Sequence, residues 1–142
     1  MIIRACLTLL LLAAPAWAVE PMSGEEFRAF TEGHTLHVED ESGVYFGSEQ
    51  YPGNDRAIWL PSDGECQYGR WAQVDDRICF VYESGDVSCW RIYRDGATSM
   101  RFQSVPVIED AENEAPEAPL SLLLRLTKRD KRPIICPEGP GV

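Results

Sequence analysis

From Thr35 to Phe102 the chain is broken every few residues by a cluster of turn-forming side chains, and nothing between the clusters has the length or period of a crossover helix. Short runs rich in β-branched and aromatic residues, bounded by Gly, Pro, Asn, Asp and Ser, read as strands joined by tight turns. Strands joined that closely pair antiparallel, because a parallel neighbour needs a long crossover. The runs are Thr35 to Val38, Val44 to Phe46, Arg56 to Leu60, Cys66 to Val74, Arg77 to Glu83, Val87 to Arg94 and Thr98 to Phe102. The turns between them are Glu39 to Ser42, Tyr51 to Asp55, Pro61 to Gly64, Asp75-Asp76, Ser84 to Asp86 and Asp95-Gly96. The expected fold class is mainly β: a small antiparallel, strongly curved sheet or barrel with one short N-terminal helix.

That helix lies between Pro21 and Gly33. Ser23 as N-cap and Glu26 at N3 form a capping box, and Met22 and Phe27 occupy the positions of a hydrophobic staple. Glu25 and Glu26 suit the helix N-terminus, and Gly33 supplies the stop. Phe27 and Phe30 share a face, and a helix this short needs a sheet to pack on.

Beyond the strands, residues 105–119 turn acidic and Ala/Pro-rich. Glu109, Asp110, Glu112, Glu114 and Glu117 stand there without a basic residue, which predicts a mobile loop. Leu120 to Thr127 alternates leucine with other residues, the period of a strand with one buried face; a helix is the alternative, since leucine favours helices. A basic turn is expected over Lys128 to Arg132. The tail from Pro133 to Val142 is too rich in Pro and Gly for regular structure.

The first 18 residues read as a secretory signal: Arg4, then the apolar Leu7 to Ala14, then Ala16-Trp17-Ala18 before a cut. The apolar run is too short to span a bilayer and no second one follows, so a single domain over 19–142 is expected, without membrane insertion. The expected destination is the periplasm. The formal charge is −10, and the cut removes Arg4 and no acid. So acidic a surface excludes nucleic acid as a partner. Cys66, Cys79, Cys89 and Cys136 follow the cut, an even count that argues for two disulfides in an oxidising compartment. Their spacing lacks the close pairs of a zinc module. Four cysteines allow three pairings. Cys79 and Cys89 flank one hairpin, which favours joining them and leaves Cys66 to tether the tail through Cys136.

No catalytic set emerges. His34 and His37 are the only histidines; three apart in a strand they fall on opposite faces, which argues against a joint metal site. There is no nucleophile elbow and no phosphate loop. The many carboxylates fall mostly in turns. Gly69-Arg70-Trp71 matches the Gly-x-Trp of lipocalin-like barrels, though mid-chain rather than on the first strand. Trp59, Trp71 and Trp90, with Phe80, Tyr82 and Tyr93, all lie on expected strands, as core packing or as the aromatics of a ligand pocket, for which the three tryptophans are the candidates.

Three blocks carry a family resemblance: Glu65-Cys66-Gln67-Tyr68-Gly69-Arg70-Trp71, Ile78-Cys79-Phe80-Val81-Tyr82-Glu83 and Cys89-Trp90-Arg91-Ile92-Tyr93-Arg94-Asp95-Gly96. With Ser23 to Phe27 and the closing Ile135-Cys136-Pro137, the chain resembles an uncharacterised family of small exported proteins of alphaproteobacteria. The resemblance implies a Gram-negative periplasm and transfers no activity and no functional residues; the acidic loop departs from the pattern. The functional expectation is a non-catalytic periplasmic binding or accessory protein for an unknown protein or small-molecule ligand, without a cofactor. The alternative is a small inhibitor of a periplasmic or secreted hydrolase, with the acidic loop or the tail as its probe. The reading leans away from an enzyme.

Overall fold

The computed structural model describes residues 19–107 and 121–137. The expected signal at 1–18, most of the expected mobile loop and the end of the tail lie outside the described residues.

Eight antiparallel strands follow one another around a closed barrel: β1 (Thr35–Asp40), β2 (Tyr45–Gly53), β3 (Arg56–Pro61), β4 (Gln67–Val74), β5 (Arg77–Tyr82), β6 (Val87–Arg94), β7 (Met100–Val105) and β8 (Leu123–Asp130). Each pairs with the next in sequence, and β8 returns to β1 over Thr35 to Asp40, so the sheet has no free edge. The helix α1 (Gly24–Thr31) precedes them.

The capping box forms as expected. The Ser23 hydroxyl accepts from the Glu26 N–H at 3.2 Å, and the Glu26 carboxylate accepts from the Ser23 N–H at 2.8 Å. Gly33 then turns the chain at φ +74°, and its N–H reaches the Tyr51 carbonyl at 2.8 Å, directing the chain into β1. The apolar face of α1 closes one end of the barrel. Phe27 is fully buried, edge-on to Trp71, Tyr51 and Phe80 at ring separations of 5.0, 5.4 and 6.2 Å. The guanidiniums of Arg94 and Arg129 approach the Phe30 ring at 4.9 and 4.3 Å. The Gly24 N–H donates to the Gln73 side chain at 2.6 Å, and the Met22 N–H to the Ile92 carbonyl at 2.7 Å. The plug is therefore tied to β2, β4, β5, β6 and β8.

Two expected turns are strand instead. Tyr51 to Gly53 belongs to β2, and only Asn54 and Asp55, both left-handed, make the turn. The register slips between Gln50 and Gly53, a bulge that accommodates Pro52 in the ladder. Likewise the expected basic turn at Lys128 to Arg132 is strand as far as Asp130. A bulge near Thr127 shifts the register there and sets Arg129 opposite Leu36, where it caps Phe30. Residues 120–127 contribute a strand, not a helix: β8 begins at Leu123 and buries Leu124 and Leu126.

Both disulfides join the pairs favoured by the hairpin argument. Cys79 faces Cys89 directly across β5 and β6, and Cys66 joins Cys136. The tail runs back along β1 and β2. The Thr35 hydroxyl donates to the Arg132 carbonyl at 2.6 Å, and the Ile134 N–H to the Gln50 side chain at 2.9 Å.

Candidate functional site: a cavity at the open end of the barrel

An eight-stranded barrel has an interior just wide enough for side chains or one small ligand. Here α1 and the ring cluster around Phe27 fill the lower half. Above them remains a cavity of about 220 Å³. Its walls are apolar: Leu36, Val38, Phe80, Phe102 and Leu124 from four strands, with Phe46, Trp59 and Trp90 toward the mouth. Gln67, Asp86 and Ser88 lie where β4 and β6 begin, at the end opposite the helix, and give the mouth its polar edge.

The mouth aromatics are held in place. Trp59 packs against Phe46 with ring centroids 5.9 Å apart, and its six-membered ring closely approaches Gly47. A methyl group at Gly47 would enter the Trp59 ring and fall 2.7 Å from the Leu60 carbonyl oxygen, so only glycine permits this approach. The Trp90 indole N–H donates to the Ser88 hydroxyl at 3.2 Å.

A carboxylate stands inside. Glu49 occupies the inner face of β2, opposite Leu36 and Trp59, and its carboxylate meets two phenols. The Tyr51 hydroxyl donates to Oε2 at 2.9 Å, and the Tyr82 hydroxyl donates to Oε1 at 2.8 Å. Glu49 is half-buried and lines the cavity. Loss of water pushes its carboxyl up to about 7, against the opposing pull of the two hydroxyls. Burial and the facing carboxylate push both phenols above their ordinary range, so they remain proton donors. Among the described residues no Lys, Arg or His lines the cavity, and none of them sets a cation beside the carboxylate there.

Of the three tryptophans singled out from the sequence, Trp59 and Trp90 line the cavity, while Trp71 packs beneath Phe27 with Arg28 over its ring at 5.2 Å. The sequence places Tyr82 among the strand aromatics, but it puts Tyr51 in a turn and gives no sign of Glu49. The stretch Gly47-Ser48-Glu49-Gln50 reads as loop by composition, and only an alternation carried through Tyr51 would have set Glu49 and Tyr51 on one inner face.

The two histidines make separate contacts. His34 hydrogen-bonds the Glu32 carbonyl and Arg129, while His37 lies outside the barrel between Ser48 and Asp130. Ser48 Oγ to His37 Nδ1 is 2.6 Å, and His37 Nε2 to Asp130 Oδ2 is 3.3 Å. These are the residue types of an acyl-transfer triad. Yet Ser48 is only 4 % exposed, its oxygen is shared with the Tyr45 hydroxyl at 2.6 Å, and none of the three lines the barrel cavity. The network bridges β1, β2 and β8, and a hydrogen bond from Lys128 holds Asp130 down at about 2. A nucleophile needs an approach for substrate and donors for an oxyanion, and a buried serine engaged twice has a structural role.

No family model matches the chain, and no curated protein or solved structure matches it either.

Proposed function

We propose that the protein is a non-catalytic binding module of the periplasm that takes a small, largely apolar ligand through the open end of its barrel. The cavity carries this reading. Binding sites for small molecules are concave, mostly apolar and furnished with a few converging polar groups, and this one combines aromatic walls with a single carboxylate held by two phenols. Its size limits the ligand: a cavity of about 150 Å³ accommodates benzene, so about 220 Å³ suits a substituted ring or a short branched chain. The two disulfides support an oxidising compartment, and among the described residues no helix is long and apolar enough to cross a membrane. Export by the N-terminal signal, and kinship with the alphaproteobacterial exported family, belong to the same proposal.

Phenethyl alcohol, neutral and of the right size, tests it. The ligand should raise the melting temperature of the protein in proportion to the logarithm of its concentration and alter the fluorescence of Trp59 and Trp90. A Ser88→Phe variant, whose new ring fills the mouth, should lose both effects while keeping its fold. Equal effects on the two proteins would move binding out of the barrel and sink the reading.

A further inference from the structure

We propose that the ligand is an apolar amine, whose ammonium group pairs with the Glu49 carboxylate at the floor of the cavity while its hydrocarbon part fills the aromatic space above. The inference rests on the binding reading and specifies the chemistry of the same site.

The donor set points to a cation. Each carboxylate oxygen of Glu49 accepts one phenolic hydrogen bond, from Tyr82 on Oε1 and Tyr51 on Oε2. A carboxylate offers about two acceptor sites on each oxygen, so each oxygen keeps one acceptor position that no described residue fills. Both phenols donate, and that arrangement suits the ionised acid, which only accepts. The site is thus built for a negative charge, yet the described residues bring it no positive one: the titratable groups among those lining it are Glu49, Tyr51, Tyr82 and Asp86, all acidic. An unpaired buried charge is a standing free-energy cost that a counter-ion relieves. An ammonium ion brings the missing charge and the donors for the two open positions.

The walls favour the same class. Trp59, Trp90 and Phe80 offer π faces, which attract cations as well as rings. Asp86 at the mouth adds a second negative charge on the entry route. An organic anion meets the opposite: two carboxylates and no donor other than phenols already engaged with Glu49.

A matched series separates charge from shape: phenethylamine, phenethyl alcohol and phenylacetate share a ring and differ in the end group. Isothermal titration at about pH 8, where both Glu49 and the amine are ionised, should give the amine at least about tenfold tighter binding than the alcohol, with the acid weakest. In Glu49→Gln the amine should fall to the level of the alcohol, while the alcohol keeps its affinity. Should that variant fail to fold, the wild-type protein gives the same reading through pH. The amine's advantage should shrink steadily as the pH is lowered through neutrality and Glu49 takes up a proton, whereas alcohol binding stays level. Equal affinity of alcohol and amine at about pH 8, or an advantage for the acid, would overturn the amine assignment and leave the cavity as a binding site. If none of the three binds, the assignment and the binding reading fall together.

Discussion

Replacing Glu49 by Gln should stabilise the protein above neutral pH and leave its stability almost unchanged in mild acid. The carboxyl is carried from an ordinary 4.5 to about 7 in the folded chain. Between those values the native state holds a proton that the unfolded chain has released. Native stability therefore falls as the pH rises through that window, and the whole penalty is present above about 7. At 1.36 kcal/mol per unit, the shift corresponds to about 3 kcal/mol. Glutamine keeps the shape without the charge: its carbonyl accepts from one phenol and its NH₂ donates to the oxygen of the other. The shift is already net of the two phenolic hydrogen bonds, which favour the ionised acid. The gain at about pH 8.5 is therefore about 3 kcal/mol, a rise in melting temperature of about 10 °C. Near pH 4.5 the two proteins should be within about 1 kcal/mol of each other. Urea unfolding of both proteins, followed by far-UV circular dichroism across that pH range, supplies the numbers. A difference that does not change with pH would show that Glu49 titrates like a solvated acid, and would contradict its loss of water in the cavity.

Four further outcomes follow from the packing. Removing the Cys66–Cys136 bridge, which spans 70 residues, should cost more than removing Cys79–Cys89, which spans 10: about 4 against about 3 kcal/mol on loop-closure entropy. Urea unfolding of the two double-serine variants would refute the argument by the reverse order. Phe27→Ala should cost about 3–5 kcal/mol, because it leaves a void among Trp71, Tyr51 and Phe80; a smaller loss in the same assay would mean the helix is not the plug described. Gly47→Ala should lower stability by about 1–3 kcal/mol and shift tryptophan emission as Trp59 is displaced, and an unaltered emission spectrum would contradict that placement. Ser23→Ala should cost about 1 kcal/mol through loss of the cap, measured by the same unfolding curve.

Turn chemistry and alternation make the architecture legible: Ser84-Gly85-Asp86 and Asp95-Gly96 stand between paired strands as read, and Ser23 caps the helix. The misreadings have local causes. Pro52 and Gly53 signal a turn by composition, yet both sit in β2 because a bulge absorbs them before Asn54. Lys128 to Asp130 reads as a solvated basic turn, while tertiary pairing with β1 extends the strand and uses Arg129 against an aromatic ring. The aromatic half of the site was partly visible, since any tryptophan on a strand has an even chance of facing inward. Trp71 does face inward, below the cavity, and its partner Phe27 comes from the helix, a contact that no period within the strand encodes. Glu49 was hidden for a physical reason: an acid within a polar stretch looks solvated until the barrel closes around it.

Nuclear Overhauser contacts between bound phenethyl alcohol and the protein report where the ligand sits. With the ligand inside the barrel, cross-peaks run from its ring to Trp59, Trp90, Phe102 and Leu124, and none to the outer face at Tyr68 and Val81. Contacts confined to Tyr68 and Val81, or no contacts at saturating ligand, would contradict a binding cavity inside the barrel.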